Sequence, residues 1–282
     1  MKIRIVIDST ADVSAEIKRQ VTVVPLTILF GDEEYIDGVT INHKTFYKKL
    51  IESDVLPVTS QPTPDAFAKI YQEAKNAGDS VVVLTISSQL SGTYQSATLA
   101  AQDYPENVYI VDSKNVALAS GILAEYAVQM ANAGLSAKDI AQNLTEAREK
   151  VHLIAMLDTL EYLKRGGRIS KTVAFAGSLL SIKPVICIRG TSGEIEVIGK
   201  ARGSRQGNNL LVKEIEAAGG VDFTKPLMLG YTGLSDHLLQ KYIEDSAALW
   251  QEHTKTLPVT VVGSVVGTHA GPGAVAVAFF KP

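Results

Sequence analysis

"VVVLTISSQLSGTYQSATLAAQ" (81–102) runs from an unbroken apolar stretch, through a turn rich in serine and threonine, into an alanine-rich segment of helical composition. Strand, hydroxylated turn and helix in that order form the unit of an α/β layer domain. The apolar stretch is near-continuous rather than alternating, which marks a strand covered on both faces, as in a parallel sheet. Outward from it, "IRIVI" (3–7), "TVVPLTI" (22–28), "NVYIV" (107–111) and "HLIAML" (152–157) read as strands of the same kind. Helical segments lie between them. "TPDAFAKIYQEAKNAG" (63–78) offers Thr63 as N-cap, Pro64 at the first helical position and Gly78 as the stop. "SAKDIAQNLTEAREK" (136–150) opens on a capping Ser136.

After about residue 158 the pattern changes. "KPVICIR" (183–189) and "EIEVIGKAR" (194–202) flank "GTSG" and read as a hairpin. "KPLMLGY" (225–231), "PVTVVGSVV" (258–266) and "AVAVAFF" (274–280) supply further strands, with helices around 204–218 and 236–252. The expectation is an α/β protein of two domains: an N-terminal parallel-sheet α/β domain over 1–158 and a C-terminal mixed α+β domain over 159–282. No internal repeat, low-complexity tract or long linker separates them, so they are expected to pack directly together.

Bulk properties narrow the function classes. The 282 residues suffice for two cores, and 46% hydrophobic with 20% charged residues is ordinary globular composition. A net charge of −3 gives no reason to expect nucleic acid. No run approaches the ~18–20 uncharged apolar residues of a membrane span, and the opening "MKIRIVIDST" lacks a signal-peptide core. Cys187 is the single cysteine, which excludes an internal disulfide and a cysteine-rich metal site. A cytoplasmic protein without a metal centre is the expectation.

Three loops leave apolar strands carrying Ser, Thr or Asp: "DSTAD" (8–12), "SSQLSGTY" (87–94) and "DS" (112–113). A fourth, "TSQPT" (59–63), enters a helix. Each alone reads as an ordinary cap or turn. In an open parallel sheet, however, the strand C-terminal ends gather on one edge where ligands bind. Hydroxyls beside helix N-terminal N–H groups there favour a carboxylate or phosphate.

"GPGAVA" (271–276) formally matches a dinucleotide-binding pattern, but a strand follows it and only nine residues remain after Gly273. No βαβ unit fits, and the match is spurious. What remains is a glycine-rich turn holding Thr268 and His269. Ser91 and His269 with an aspartate would make a serine hydrolase of acyl esters; the chain has no G-x-S-x-G elbow, and a triad is defined in space rather than in sequence. From Lys164 to Arg205 the chain carries nine basic and two acidic residues. Clusters at "KRGGRISK" (164–171) and "KARGSR" (200–205) suit a docking or oxyanion-binding surface. "NVALASGILAEYAVQMA" (115–131) and "KTVAFAGSLLSIKPV" (171–185) are apolar nearly all round, as buried core helices or as walls of an apolar channel.

Taken in order, "DSTAD", "TSQPT", "LSGTY" (90–94), "VDS" (111–113), "LKRGGRIS" (163–170), "KARG" (200–203) and "GTHAGPG" (267–273) resemble the DegV family of bacterial fatty-acid-binding proteins. Position 63 is threonine where that family more often has serine, so the hydroxyl is kept. The resemblance implies a two-domain carrier, not itself catalytic and without a cofactor, holding a long-chain fatty acid of about C14–C18 between its domains. It further implies presentation of the carboxylate to a separate ATP-binding subunit of fatty acid kinase, which forms acyl-phosphate for phospholipid synthesis, with only transient membrane contact. Carried over by position, Thr59 and Ser91 bind the carboxylate, Ser60, Gly92 and Thr93 stand close by, and His269 joins their hydrogen bonds. Arg168 and Arg202 are implied in partner docking and phosphotransfer. A regulatory module that senses lipid shares the same ligand.

Overall fold

A computed structural model of the chain describes residues 2–169 and 182–282. The segment read at 171–185 therefore lies outside the described residues, apart from its last four, and Lys171 with it. Thirteen strands form three sheets among the described residues. The first is all parallel, in the order β2 (Val21–Val24), β1 (Ile3–Asp8), β6 (Ser80–Thr85), β7 (Val108–Asp112). The second is a small antiparallel sheet, β4 (Glu33–Ile36), β3 (Thr27–Phe30), β5 (Val58–Ser60). The third is mixed and six-stranded: β10 (Ile195–Arg202), β9 (Ile182–Arg189), β8 (Val151–Met156), β13 (Val275–Phe280), β11 (Met228–Tyr231), β12 (Val259–Val261).

The first helices in chain order are α1 (Ala15–Lys18), α2 (His43–Glu52), α3 (Pro64–Ala77), α4 (Thr93–Ala101), α5 (Ala117–Asn132) and α6 (Ala137–Ala147). They are followed by α7 (Glu161–Arg165), α8 (Gly203–Ala217), α9 (His237–Asp245), α10 (Ala247–Trp250) and α11 (Ser264–Ala270). Thr63 is the N-cap residue of α3, though its hydroxyl makes no capping bond, and Ser136 caps α6 by accepting from Asp139 N.

The layers follow from which faces are apolar. α3 and α4 cover one face of the parallel sheet through Phe67, Tyr71 and Ala97. α5 is buried on nearly every side and touches β1 and β6 of the parallel sheet as well as β8, β11 and β13 of the mixed one. It reads as an all-round apolar helix because it is the filling between two sheets. α8 and α9 close the far face of the mixed sheet.

Three sequence expectations change. "TVVPLTI" is two strands in different sheets, because Pro25 has no N–H to continue a ladder and the chain turns there. Leu26 N is taken by Ser9 Oγ instead, at 3.0 Å. "HLIAML" leaves the parallel sheet and sits antiparallel between β9 and β13. Its continuous apolarity has a different cause from the one expected: Leu153 and Ala155 face the α5 side, and Ile154 and Met156 face the α8 side. Finally, "GSVVGTHA" (263–270) is not strand and turn but the helix α11, with Val265 and Thr268 buried on it.

Candidate functional site

Between α5, the mixed sheet and α11 lies a cavity of about 380 Å³, within the ~300–1,000 Å³ range of small-molecule sites. Its interior is aliphatic, built from side chains such as Leu153, Ile186, Ile188, Val265 and Ala276. Thr59, Ser60, Gln61, Ser91, Arg168 and His269 form a polar group on its wall, and Thr10, Tyr231 and Thr232 line it as well.

Each polar group is placed by a different element. β5 pairs with β3 so that Thr59 stands opposite buried Ile28 and turns inward, while Ser60 is exposed at the rim. Ser91 precedes α4, whose N-cap position is Gly92. Its hydroxyl lies 2.9 Å from Thr93 Oγ1 and accepts from Thr93 N at 3.3 Å. Gly92 and Thr93 stand behind Ser91 rather than on the cavity wall. A side chain at Gly92 would start 2.1 Å from Gln61 Oε1, so glycine lets the two loops touch. Gln61 also donates from Nε2 to Ser96 Oγ at 2.9 Å, joining the Thr59 loop to α4. Within "TSQPT" nothing but position distinguishes Gln61 from an ordinary loop residue.

His269 sits in the last turn of α11 with Nε2 3.0 Å from Thr59 Oγ1. Its Nδ1 has no hydrogen-bond partner among the described residues and faces Gly166, where a Cβ would come within 2.2 Å of it. Burial, and then the positive charge of Arg168, pull the imidazole pKa down to about 4. The ring is therefore neutral near pH 7 and presents one donor and one acceptor. Arg168 is half-buried and tethered to backbone, its Nε donating to Leu90 O at 3.2 Å and Nη1 to Gly166 O at 2.6 Å. It stands on the cavity with the hydroxyls, whereas Arg202 is exposed at the junction of β10 and α8, off the cavity wall.

The remaining hydroxyl loops hold the scaffold together. Ser87 Oγ donates to Gly193 O at 2.7 Å and Ser88 Oγ to Asp112 Oδ2 at 2.6 Å. Asp8, whose carboxyl is pushed up by burial and drawn back by its bonds, accepts from Thr10 and from Ile86 N. Of the serines and threonine in "SSQLSGTY", Ser87 and Ser88 tie loops together, Ser91 reaches the cavity and Thr93 backs it. The relay of a serine hydrolase is not assembled: Ser91 pairs with Thr93, and His269 pairs with Thr59. Among the described residues no group of three or more His, Cys, Asp or Glu is placed to hold a metal ion, and no helix is long and apolar enough to cross a membrane.

One neutral imidazole, several hydroxyls and one guanidinium on the wall of an aliphatic cavity suit a ligand with a single anionic head and an apolar body. The model of the DegV family, described as uncharacterised proteins, matches residues 2–282. The chain belongs to the DegV family. A DegV domain-containing protein of Caldanaerobacter subterraneus is 34% identical over 99% of this chain and 98% of its own length. One from Deinococcus radiodurans is 36% identical over the same shares. Among solved structures, a DegV family protein of Thermus thermophilus described by its fatty acid binding superposes with a TM-score of 0.88 at 32% identity, covering 100% of both chains. A stearic-acid-binding protein of Eubacterium ventriosum gives 0.85 at 27%, covering 100% of this chain and 99% of its own. The DegV fatty-acid-binding protein of Bacillus subtilis gives 0.82 at 30%, covering 100% of both.

Proposed function

We propose that this protein is a carrier that binds a long-chain fatty acid, about C14–C18, and presents its carboxylate to a separate ATP-binding kinase subunit for conversion to acyl-phosphate. The observation that carries the reading is the aliphatic cavity with Thr59, Ser91 and His269 on its wall. Relatives of the same fold are described as fatty-acid binders, which supports it. In this reading Thr59, Ser91 and His269 bond the carboxylate, Ser60, Gly92 and Thr93 shape its surroundings, and Arg168 and Arg202 serve the partner and the transferred phosphoryl group. The work divides near residue 158, with most of the hydroxyl loops before it and the acyl cover and arginines after it. The protein itself supplies no catalysis, works in the cytoplasm and touches the membrane only transiently.

The energetics assign the two ends different roles. Each methylene buried contributes about 0.8 kcal/mol, so the tail supplies the affinity. A buried carboxylate costs several kcal/mol unless hydrogen-bonded, so the polar end fixes orientation. Native mass spectrometry of the purified protein, followed by organic extraction, tests the reading. A one-to-one complex with a C14–C18 fatty acid is expected. A protein that is empty and also refuses added palmitate and oleate would sink it.

A further inference from the structure

We propose that Ala155 and Ala276 determine which acyl chains the cavity accepts, by forming a flat floor across the mixed sheet; the inference rests on the fatty-acid reading above. The strand register puts Gly230 opposite Ala276, Ala276 opposite Ala155, and Ala155 opposite Ile186, a single row over β11, β13, β8 and β9. All four residues line the cavity. With neighbouring strands about 4.8 Å apart, the row is about 14 Å long. An extended hydrocarbon tail fits along it.

Central strands favour β-branched and aromatic residues, and alanine is depleted there. β13 shows the departure residue by residue. On its cavity side stand Ala276 and Ala278, preceded by Ala274 and ending in Phe280 away from the cavity, and on the opposite side Val275, Val277 and Phe279. β8 likewise places Ala155 toward the cavity between Ile154 and Met156, which face away. Gly230 has a separate explanation, since a side chain there would start 2.8 Å from Leu118 on α5. Ala155 and Ala276, 5% and 7% exposed, spend their small remaining surface on the cavity wall. Their small side chains keep the floor open, and the row ends against the larger Ile186. One row further from the mouth, Leu153 and Ile188 still line the cavity while Ala278 and Met228 do not, so the space turns toward β9.

The substrate consequence concerns the distal carbons. A short chain ends before crossing the row, and a long one must lie on it. Ala155→Val and Ala276→Leu are measured against unbranched saturated acids from C10 to C18 by calorimetry. The ratio of C18 to C10 affinity is expected to fall about tenfold or more, the scale on which a hydrophobic pocket discriminates methylenes. Ala276→Gly, which deepens the floor, is expected to move the ratio the other way. Retained C10 binding shows that each variant is folded. An unchanged ratio in all three variants, with the unmodified chain binding normally, overturns the inference alone. If the unmodified chain binds none of the acids, the fatty-acid reading falls and this inference with it.

Discussion

Ser91 carries the sharpest expectation about a single side chain. Its hydroxyl is on the cavity wall and among the described residues bonds only to its own loop, so Ser91→Ala leaves the scaffold bonds of Ser87 and Ser88 untouched. If Ser91 holds the carboxylate as proposed, the ligand then loses a partner, and fatty acid affinity should weaken by about 1–3 kcal/mol. Calorimetry giving unchanged affinity would remove Ser91 from the site. His269 makes a prediction in pH. An unfolded histidine titrates near 6.5, and this one is held near 4 by burial and by Arg168. Between those values the unfolded chain binds more protons, so the ring's contribution to stability is present above about 6.5 and lost as pH falls toward 4. Denaturant midpoints of the wild type and His269→Asn should converge over that window on acidification. His152, also pulled down to about 4, adds a slope of the same sign to both chains and cancels in the comparison. Parallel midpoint curves would show that His269 titrates freely. Legibility at this scale was uneven. Thr59, Ser91 and His269 stood out as hydroxyls and a histidine among glycines, but nothing in "KRGGR" shows that Arg168 folds back onto Leu90 O.

At the level of elements, the site is a junction of β5, α4, α11 and the turn after α7. Arg202 belongs to another surface, where β10 hands over to α8. Arg202→Ala is therefore expected to bind fatty acid as the wild type does while lowering acyl-phosphate formation by a cognate kinase. A fall in lipid affinity would show that the two surfaces are one. Strands with tight parallel partners were readable from their Val and Ile content. α11 was not, because "VVGSVV" is a short apolar run, and such runs carry no periodicity that separates a buried helical turn from a strand. "HLIAML" misled for a related reason. Burial on both faces says that a strand is covered and leaves open which sheet it joins, a matter of long-range pairing.

Across the whole molecule, α5 makes the two large sheets one structure. Leu118 is fully buried in the cluster shared by Ile7 and Leu84 on one side and Leu153 and Ala276 on the other. Leu118→Ala should cost about 2–5 kcal/mol and lower a single calorimetric transition. Two transitions, only one of them shifted, would mean that the halves unfold separately. The α/β class was visible in the alternation of segments, whereas the shared core was not, since composition cannot show that one helix serves two sheets.

The cavity has a consequence for how long the protein lasts. Space that side chains do not fill withholds stability in proportion to its volume, and 380 Å³ is large against the narrow margin by which domains stay folded. A ligand of the proposed kind would complete the interior and shift the folding equilibrium by mass action. Chains made when such lipid is scarce would open more often and be cleared sooner by proteases. The abundance of the carrier would then follow the supply of its cargo, with no dedicated regulator.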